Sequence, residues 1–549
     1  MQNDPRQAAI YFASDGYDPA GKGINGRRVA GESFLRGWLA QSGDGPVRGV
    51  GDTPSAMRGF RDFVQAHAPG RPVETVLSYQ AGMAQIGTLF YPSPGLAGQA
   101  WARMRRGQGA WSICGITHTI STRAVMEQIA QMVFAPLAPW DALVLTSRAV
   151  RSAVESQLAQ VEDYARRRFG GVVPARVMLP VIPLGVHVAD FAPDPAAGAG
   201  LRARLGLAEG DILVMTLARL SFAEKFDPLP VFIGLQQAAQ QFGGRLHYAL
   251  VGQFSAGSTQ ADYQRAAAQL APDVVLHFVD GGDLVQRKAA LSGADMFLFP
   301  IDNIQETFGL APVEAMAAGL PVIATDWDGL RDTVTPDCGI LIPTLTGRAE
   351  HSRIESLRFL TGTDSYHAFL SLLSGMSSFD PQVLAQAVLR LAQDAGLRAR
   401  MGAAGQRRAR QVFDWAAVVP QMQDLWAEQS ARRQRDAGLA LPPADAAVLP
   451  SGFSMFAGWP SDQLPQQAAL VLAPLAASLP SPDQMAALGS LPKLRRGLEA
   501  PAIMASVLAA LTDQPQQTAA LARQLGLAQV TVERVGLWLV KYGYARLAG

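Results

Sequence analysis

One pattern occurs twice along this chain and limits its fold more than any other feature. Short apolar runs alternate with spacers long enough to hold a helix. In the first stretch, residues 9–13, 76–79, 109–113 and 141–146 read as strands, several bounded by Gly, Pro or Asp. A Pro-rich crossing at 191–195 leads to a second series: Ile212–Leu217, 247–251, 274–278, Met296–Phe299 and 321–324. Runs this apolar must be covered on both faces, which predicts parallel sheets sandwiched by helices. The expected fold class is α/β, with two Rossmann-like lobes facing each other across a cleft and a small helical domain at the C-terminus. Ligands of such sheets bind at the carboxyl ends of the strands, here the cleft.

The expected boundaries are 1–195 for the first lobe and 196–432 for the second, with a Gly/Ser/Thr-rich surface insertion at about 345–380. An Ala/Pro-rich linker is expected at 433–487 and a helical module at 488–549. A length of 549 residues fits about three domains. Positive and negative side chains number 47 and 46, so bulk charge attracts neither nucleic acid nor an acidic membrane. Cys114 and Cys338 fall in different lobes without metal-like spacing, which predicts no disulfide and a reducing compartment. The N-terminus lacks a signal pattern. The best apolar run, 468–479, is broken by Pro474 and is short of the ~18 residues a bilayer requires. A cytoplasmic protein is expected, with peripheral attachment at the inner face of the membrane left open.

The densest chemistry lies in Glu306-Thr-Phe308-Gly309-Leu310-Ala-Pro312-Val-Glu314-Ala-Met-Ala-Ala-Gly319-Leu-Pro321. Pro300 stops the preceding strand, so Glu306 falls in the loop at its carboxyl end. Gly309 lets the backbone pass close to a ligand, and Pro312 suits the first turn of a helix. That helix points free N–H groups and its positive end at the cleft. Glu314, expected on the first turn, adds a second carboxylate. Carboxylates cannot neutralise phosphate but do accept hydrogen bonds from hydroxyls, so a polyol carrying a diphosphate is the natural ligand. The competing reading is a helix whose acids merely offset its dipole.

This string resembles the E-x7-E motif of family 4 retaining glycosyltransferases, and Glu306 and Glu314 have its spacing. The resemblance implies the GT-B fold. It places Glu306 and the backbone amides of Phe308, Gly309 and Leu310 on the donor sugar, and Glu314 on the ribose. Leu217-Ala218-Arg219-Leu220-Ser-Phe-Ala-Glu-Lys225 resembles the family's Gly-Arg-Leu…Lys-Gly segment. Ala218 and Phe226 stand where Gly is usual, and the Arg-to-Lys spacing is one residue longer. The implied role of Arg219 and Lys225 is to grip the donor diphosphate and stabilise charge on the leaving group. Cys114-Gly-Ile-Thr-His118 resembles the family's strand-end histidine over the donor sugar; a structural histidine is the alternative. Phe413-Asp-Trp415 resembles its closing helix, which crosses back to the first lobe. The resemblance runs from about residue 9 to 428.

Other motifs are weaker. Gly21-Lys-Gly23-Ile-Asn-Gly26 spells G-x-G-x-x-G, but residues 14–20 separate it from its strand, which weakens a dinucleotide reading. The resemblance places this loop, Gly23 included, near the donor phosphates; a nicotinamide-dependent enzyme is the rival. Asp326-Trp-Asp328 spells a metal-binding triplet of another glycosyltransferase fold, but no histidine cluster supports it. Neither a metal nor any cofactor beyond the donor itself is expected. Trp101-Ala-Arg103-Met-Arg105-Arg106 with Trp111 reads either as a basic patch for an anionic acceptor or lipid, or, preferred, as a helix face with two core tryptophans. Residues 518–546 resemble a winged helix with sparse basic side chains, so a protein partner is expected there and nucleic acid is not.

Taken together, these features predict a retaining glycosyltransferase acting from a nucleotide-diphosphate sugar on an unidentified sugar, lipid-linked or protein acceptor, in glycan or glycoconjugate biosynthesis. A catalytically silent sugar-sensing protein on the same fold is the alternative.

Overall fold

The computed structural model describes residues 4–17, 26–171, 176–222, 224–255, 257–488 and 499–548. The chain divides into two compact units, residues 1–449 and 450–549.

The first unit holds both lobes. Strands β1 (Ala9–Tyr11), β2 (Val47–Gly51), β3 (Val73–Leu77), β4 (Thr88–Tyr91), β5 (Ser112–Ile116) and β6 (Ala142–Val144) form a parallel sheet of order β3-β2-β1-β4-β5-β6. Strands β7 (Ile212–Leu217), β8 (Leu246–Gly252), β9 (Val274–Asp280), β10 (Met296–Phe299), β11 (Val322–Thr325) and β12 (Gly339–Ile342) repeat that arrangement, in the order β12-β11-β10-β7-β8-β9. Strand order reverses between β1 and β4 and again between β7 and β10. These switch points open a crevice at the strand carboxyl ends, and it is there that the functional loops emerge.

Strands β7, β10 and β11 are buried on both faces, which is why they read as almost wholly apolar runs. The two-lobe expectation holds, with corrections in detail. Strand β3 begins earlier and β5 later than the sequence suggested, while β2, β4 and β12 went unpredicted. Two of these three carry glycine where a helix or strand packs closely. A Cβ on Gly49 would lie 2.4 Å from the Phe60 ring, and one on Gly339 would lie 2.4 Å from the Val322 carbonyl oxygen. Glycine weakens a strand signal for just this reason.

Helix Trp415–Arg435 returns from the second lobe to the first. Gln429 donates to the Ile113 and Trp140 carbonyls at 2.9 and 3.0 Å, and the Trp415 indole donates to Ser33 Oγ at 2.8 Å. Around Trp101 the preferred helix-face reading holds for Trp111 but not for a solvated Arg103. Arg103 is wholly buried in a two-pronged pair with Asp141 at 2.7 Å per contact, and Trp111 is core.

The second unit contains β15 (Ala469–Leu472), flanked antiparallel by β16 (Gln516–Gln517) and β17 (Ala545–Leu547), and helices Pro501–Ala510, Thr518–Leu525 and Gln529–Lys541. Its core includes Leu470, Val507, Leu521, Val532, Val535 and Leu539. Strand β15 lies inside the stretch expected as linker, 433–487. That stretch is therefore corrected: its early part is tied to the first lobe, where the Ala444 amide donates to the Met104 carbonyl at 2.8 Å, and Ala469–Leu472 is the central strand of the second unit.

Candidate active site

Strands β7 and β10 are hydrogen-bonded neighbours, so the loops leaving their carboxyl ends meet. The first carries Arg219, Glu224 and Lys225; the second carries Gln305, Glu306 and Gly309. Lys225 Nζ lies 2.7 Å from Glu306 Oε2, with both side chains mostly shielded. Glu306 Oε1 accepts the Gly309 amide at 3.2 Å. Burial alone would push this carboxyl up, but the Lys225 charge and the Gly309 and Thr307 amides together hold it below the usual range. Glu306 is therefore an anion ready to accept hydroxyl hydrogen bonds.

Arg219 donates to Glu224 Oε2 at 2.5 Å and to Gln305 Oε1. Glu224 is almost fully buried, and the sequence reading missed it because the motif carries no acid signal at that place. Gln305 was missed although it adjoins Glu306.

Gly309 has φ 83°, a left-handed conformation that favours glycine, and caps helix Leu310–Ala317. The Phe308 side chain is core, edge-on to Phe413, so only its backbone is available to the cleft. Glu314 is the fifth residue of the helix rather than on its first turn, and its carboxylate takes Arg287, whose guanidinium lies 5.7 Å over the Phe191 ring.

From the first lobe, the His118 carbonyl accepts Thr307 Oγ1 at 2.6 Å, joining β5's loop to the Glu306 loop. His118 also borders an apolar crevice with Tyr17, Phe34, Phe90, Pro183 and Trp415. Gly23 and most of its loop lie outside the described residues.

Asp326 pairs with Arg331 at 3.0 Å. Asp328 takes a left-handed φ of 49°, and among the described residues its Oδ2 is buried without a hydrogen-bond partner. Burial first, and the Glu306 charge second, push its carboxyl well above the usual range. The following Gly329 leaves no room for a side chain, since a Cβ there would lie 2.6 Å from Phe308 Cα.

The expected surface insertion is also corrected. Strands β13 (Thr344–Thr346) and β14 (Ser377–Phe379) pair antiparallel at its base, and helix Tyr366–Ser374 reaches the cleft itself. Ser374 Oγ donates to Asp302 Oδ1 at 2.6 Å, the Tyr366 hydroxyl meets Ser121 Oγ at 2.7 Å, and His367 Nδ1 meets Glu224. Asp302 is pushed up to about 6 by burial, against the hydrogen bonds from Ser374 and the Asp227 amide.

Residues 224–357 match the family described as "Glycosyl transferases group 1". A D-inositol 3-phosphate glycosyltransferase of Xylanimonas cellulosilytica is 27% identical over 357 residues, 62% of this chain and 71% of that protein. Another of that name from Geodermatophilus obscurus is 28% identical over 53% of this chain, which spans 61% of its length. A GDP-mannose-dependent alpha-(1-6)-phosphatidylinositol monomannoside mannosyltransferase of Mycolicibacterium smegmatis is 26% identical over 45% of this chain and 66% of its own. Among solved structures, Anabaena Alr3699/HepE in complex with UDP and glucose aligns over 76% of this chain and 98% of its own, with 17% identity and a TM-score of 0.46. No helix among the described residues is long and apolar enough to cross a membrane. With two sheets of matching order and a group 1 domain spanning the Glu306 loop, the chain is a glycosyltransferase of the two-lobed GT-B fold.

Proposed function

We propose that this enzyme transfers a sugar, with retention, from a nucleoside-diphosphate donor to an acceptor hydroxyl, in the manner of family 4. The observation that carries the reading is the convergence of Arg219, Lys225 and Glu306 at the ends of two adjacent strands, beside a first-lobe loop. Two cations on one side suit the diphosphate; an ionised carboxylate and the Gly309 turn suit sugar hydroxyls. As the glycosidic bond breaks, negative charge grows on the leaving diphosphate, where Arg219 and Lys225 stabilise it. The acceptor proton passes to a phosphate oxygen on the same face of the sugar, so no side-chain nucleophile is required. His118 borders the sugar, and Glu314 meets the ribose. No metal takes part.

The named relatives act on inositol phosphate or phosphatidylinositol mannoside, so an inositol-bearing acceptor is the first to test. The second unit serves as a winged-helix-like protein-binding module. Val530 and Leu537, exposed on helix Gln529–Lys541, give it an apolar face, while Arg534 is spent on Glu499 at 3.2 Å. Thermal stabilisation by UDP, GDP or ADP, followed by product anomer assignment by NMR with the matching donor, tests the reading. Inversion at the anomeric carbon, or no stabilisation by any of the three, overturns it.

A further inference from the structure

The insertion between β13 and β14 touches the candidate site at consecutive residues. Its second helix is held firmly: Phe369 and Leu370 are buried, Phe369 stacks on Phe359 at 4.3 Å, and Ser374 is bonded to Asp302. At the start of that helix, the Tyr366 hydroxyl meets Ser121 of the first lobe at 2.7 Å and accepts Gln305 Nε2 of the second at 3.3 Å. One hydroxyl thus spans the cleft. The next residue, His367, donates from Nδ1 to Glu224.

Gln305 and Glu224 are the two groups that occupy Arg219. A carboxylate and an amide oxygen around a guanidinium stand where an anionic ligand's oxygens would bind. For Arg219 to take a diphosphate, it must release Glu224. That carboxylate is only 5% exposed, and a buried anion stripped of its partner is costly. His367 is the partner that stays.

We propose that the insertion completes the donor site: His367 holds Glu224 when Arg219 turns to the diphosphate, and Tyr366 positions Gln305 while bridging the lobes. Both are positioning residues, and the proposal rests on the glycosyl-transfer reading above. It gives the insertion a role in donor affinity that the motif residues alone do not supply.

The test is the affinity of the full-length chain for UDP, GDP and ADP by titration calorimetry, in wild type and variants. His367 is more than half exposed, so its replacement leaves the fold intact. For the nucleotide that wild type binds, His367→Ala weakens binding on the order of tenfold, the weight of one charge-assisted hydrogen bond. His367→Asn, which restores an N–H near the Nδ1 position, recovers it. Glu224→Gln added to His367→Ala also recovers it, because a neutral amide no longer needs His367 and no longer locks Arg219. With a competent donor and acceptor, Tyr366→Phe raises donor hydrolysis relative to transfer, as a looser closure admits water. Unchanged affinity in His367→Ala beside a wild type that binds overturns this inference alone. A wild type that binds none of the three overturns the transferase reading beneath it.

Discussion

Lys225 Nζ and Glu306 Oε2 lie 2.7 Å apart, so the residue expected on the diphosphate and the one expected on the sugar hold each other. The pair keeps a cation and an anion side by side in a shielded pocket, where each would be costly alone. In the proposed reading, a donor offers Lys225 a phosphate and Glu306 hydroxyls in exchange for this pair.

The pair predicts a separation of stability from activity. Lys225→Met or Glu306→Gln alone leaves one charge poorly matched and costs about 3 kcal/mol, the low end for a broken buried pair. The double variant removes both charges and recovers most of the lost melting temperature. Transfer stays reduced by a factor on the order of 10²–10³ in all three, because the charge that stabilises the leaving group or holds the sugar is gone. Calorimetry together with initial rates checks this; a double variant as unstable as the worse single one contradicts it.

Arg103 and Asp141 form the other consequential ion pair. Besides Asp141, Arg103 serves the Trp111 and Pro136 carbonyls, and Asp141 accepts the Ile113 and Ala138 amides. Arg103→Ala leaves a buried carboxylate unpaired beside β5 and costs about 3–5 kcal/mol. The loss measured by chemical denaturation should be the same at 0.05 and 0.5 M salt, since solvent ions cannot reach a fully buried pair. A loss that salt abolishes would place the pair at the surface.

Much of this architecture could be read from β7, β10 and β11, where burial on both faces leaves almost wholly apolar runs. The Glu306 string was equally plain, because a strand end at Phe299, a left-handed Gly309 and a helix start at Leu310 follow closely. Glu224, Tyr366 and His367 were not legible. Tyr366 meets residues 61 and 245 positions away, and His367 reaches back to Glu224; no local periodicity records such contacts. Arg103 misled for a related reason: a buried arginine and a solvated one have the same spelling, and only its partner at position 141 tells them apart.

His247 and His277 stack on neighbouring strands, 2.9 Å apart between ring nitrogens, with Asp211 at 3.2 Å from the former. Burial lowers both; Asp211 opposes it at His247, and the His247 charge adds to it at His277. The unfolded chain, with histidines near ~6.5, then binds more protons than the fold just below that pH. Stability is present above ~6.5 and lost as pH falls through the folded values. Asp302 works the opposite way, its contribution being lost as pH rises through about 6, so the comparison belongs in an Asp302→Asn background. There, adding His277→Gln should flatten the fall in melting temperature between pH 7 and 5. Parallel curves would refute the assignment.

Asp328 presents the converse case. Its left-handed backbone is one that Asp and Asn tolerate better than most residues, so Asp328→Asn changes the charge and little else. Its carboxyl is pushed well above the usual range by burial and by Glu306, so folding favours the protonated form. Stability from this group is full below the unfolded value near ~3.9 and is lost as pH rises through the folded one. Asp328→Asn should therefore change the melting temperature little near pH ~3 and raise it clearly at pH 7.5, where the gain in stability is at least about 1 kcal/mol for each unit of displacement removed. The gain should shrink in a Glu306→Gln background, since the neighbouring negative charge supplies part of the displacement. A gain of equal size at both pH values would mean that backbone strain rather than buried charge sets the cost of this residue.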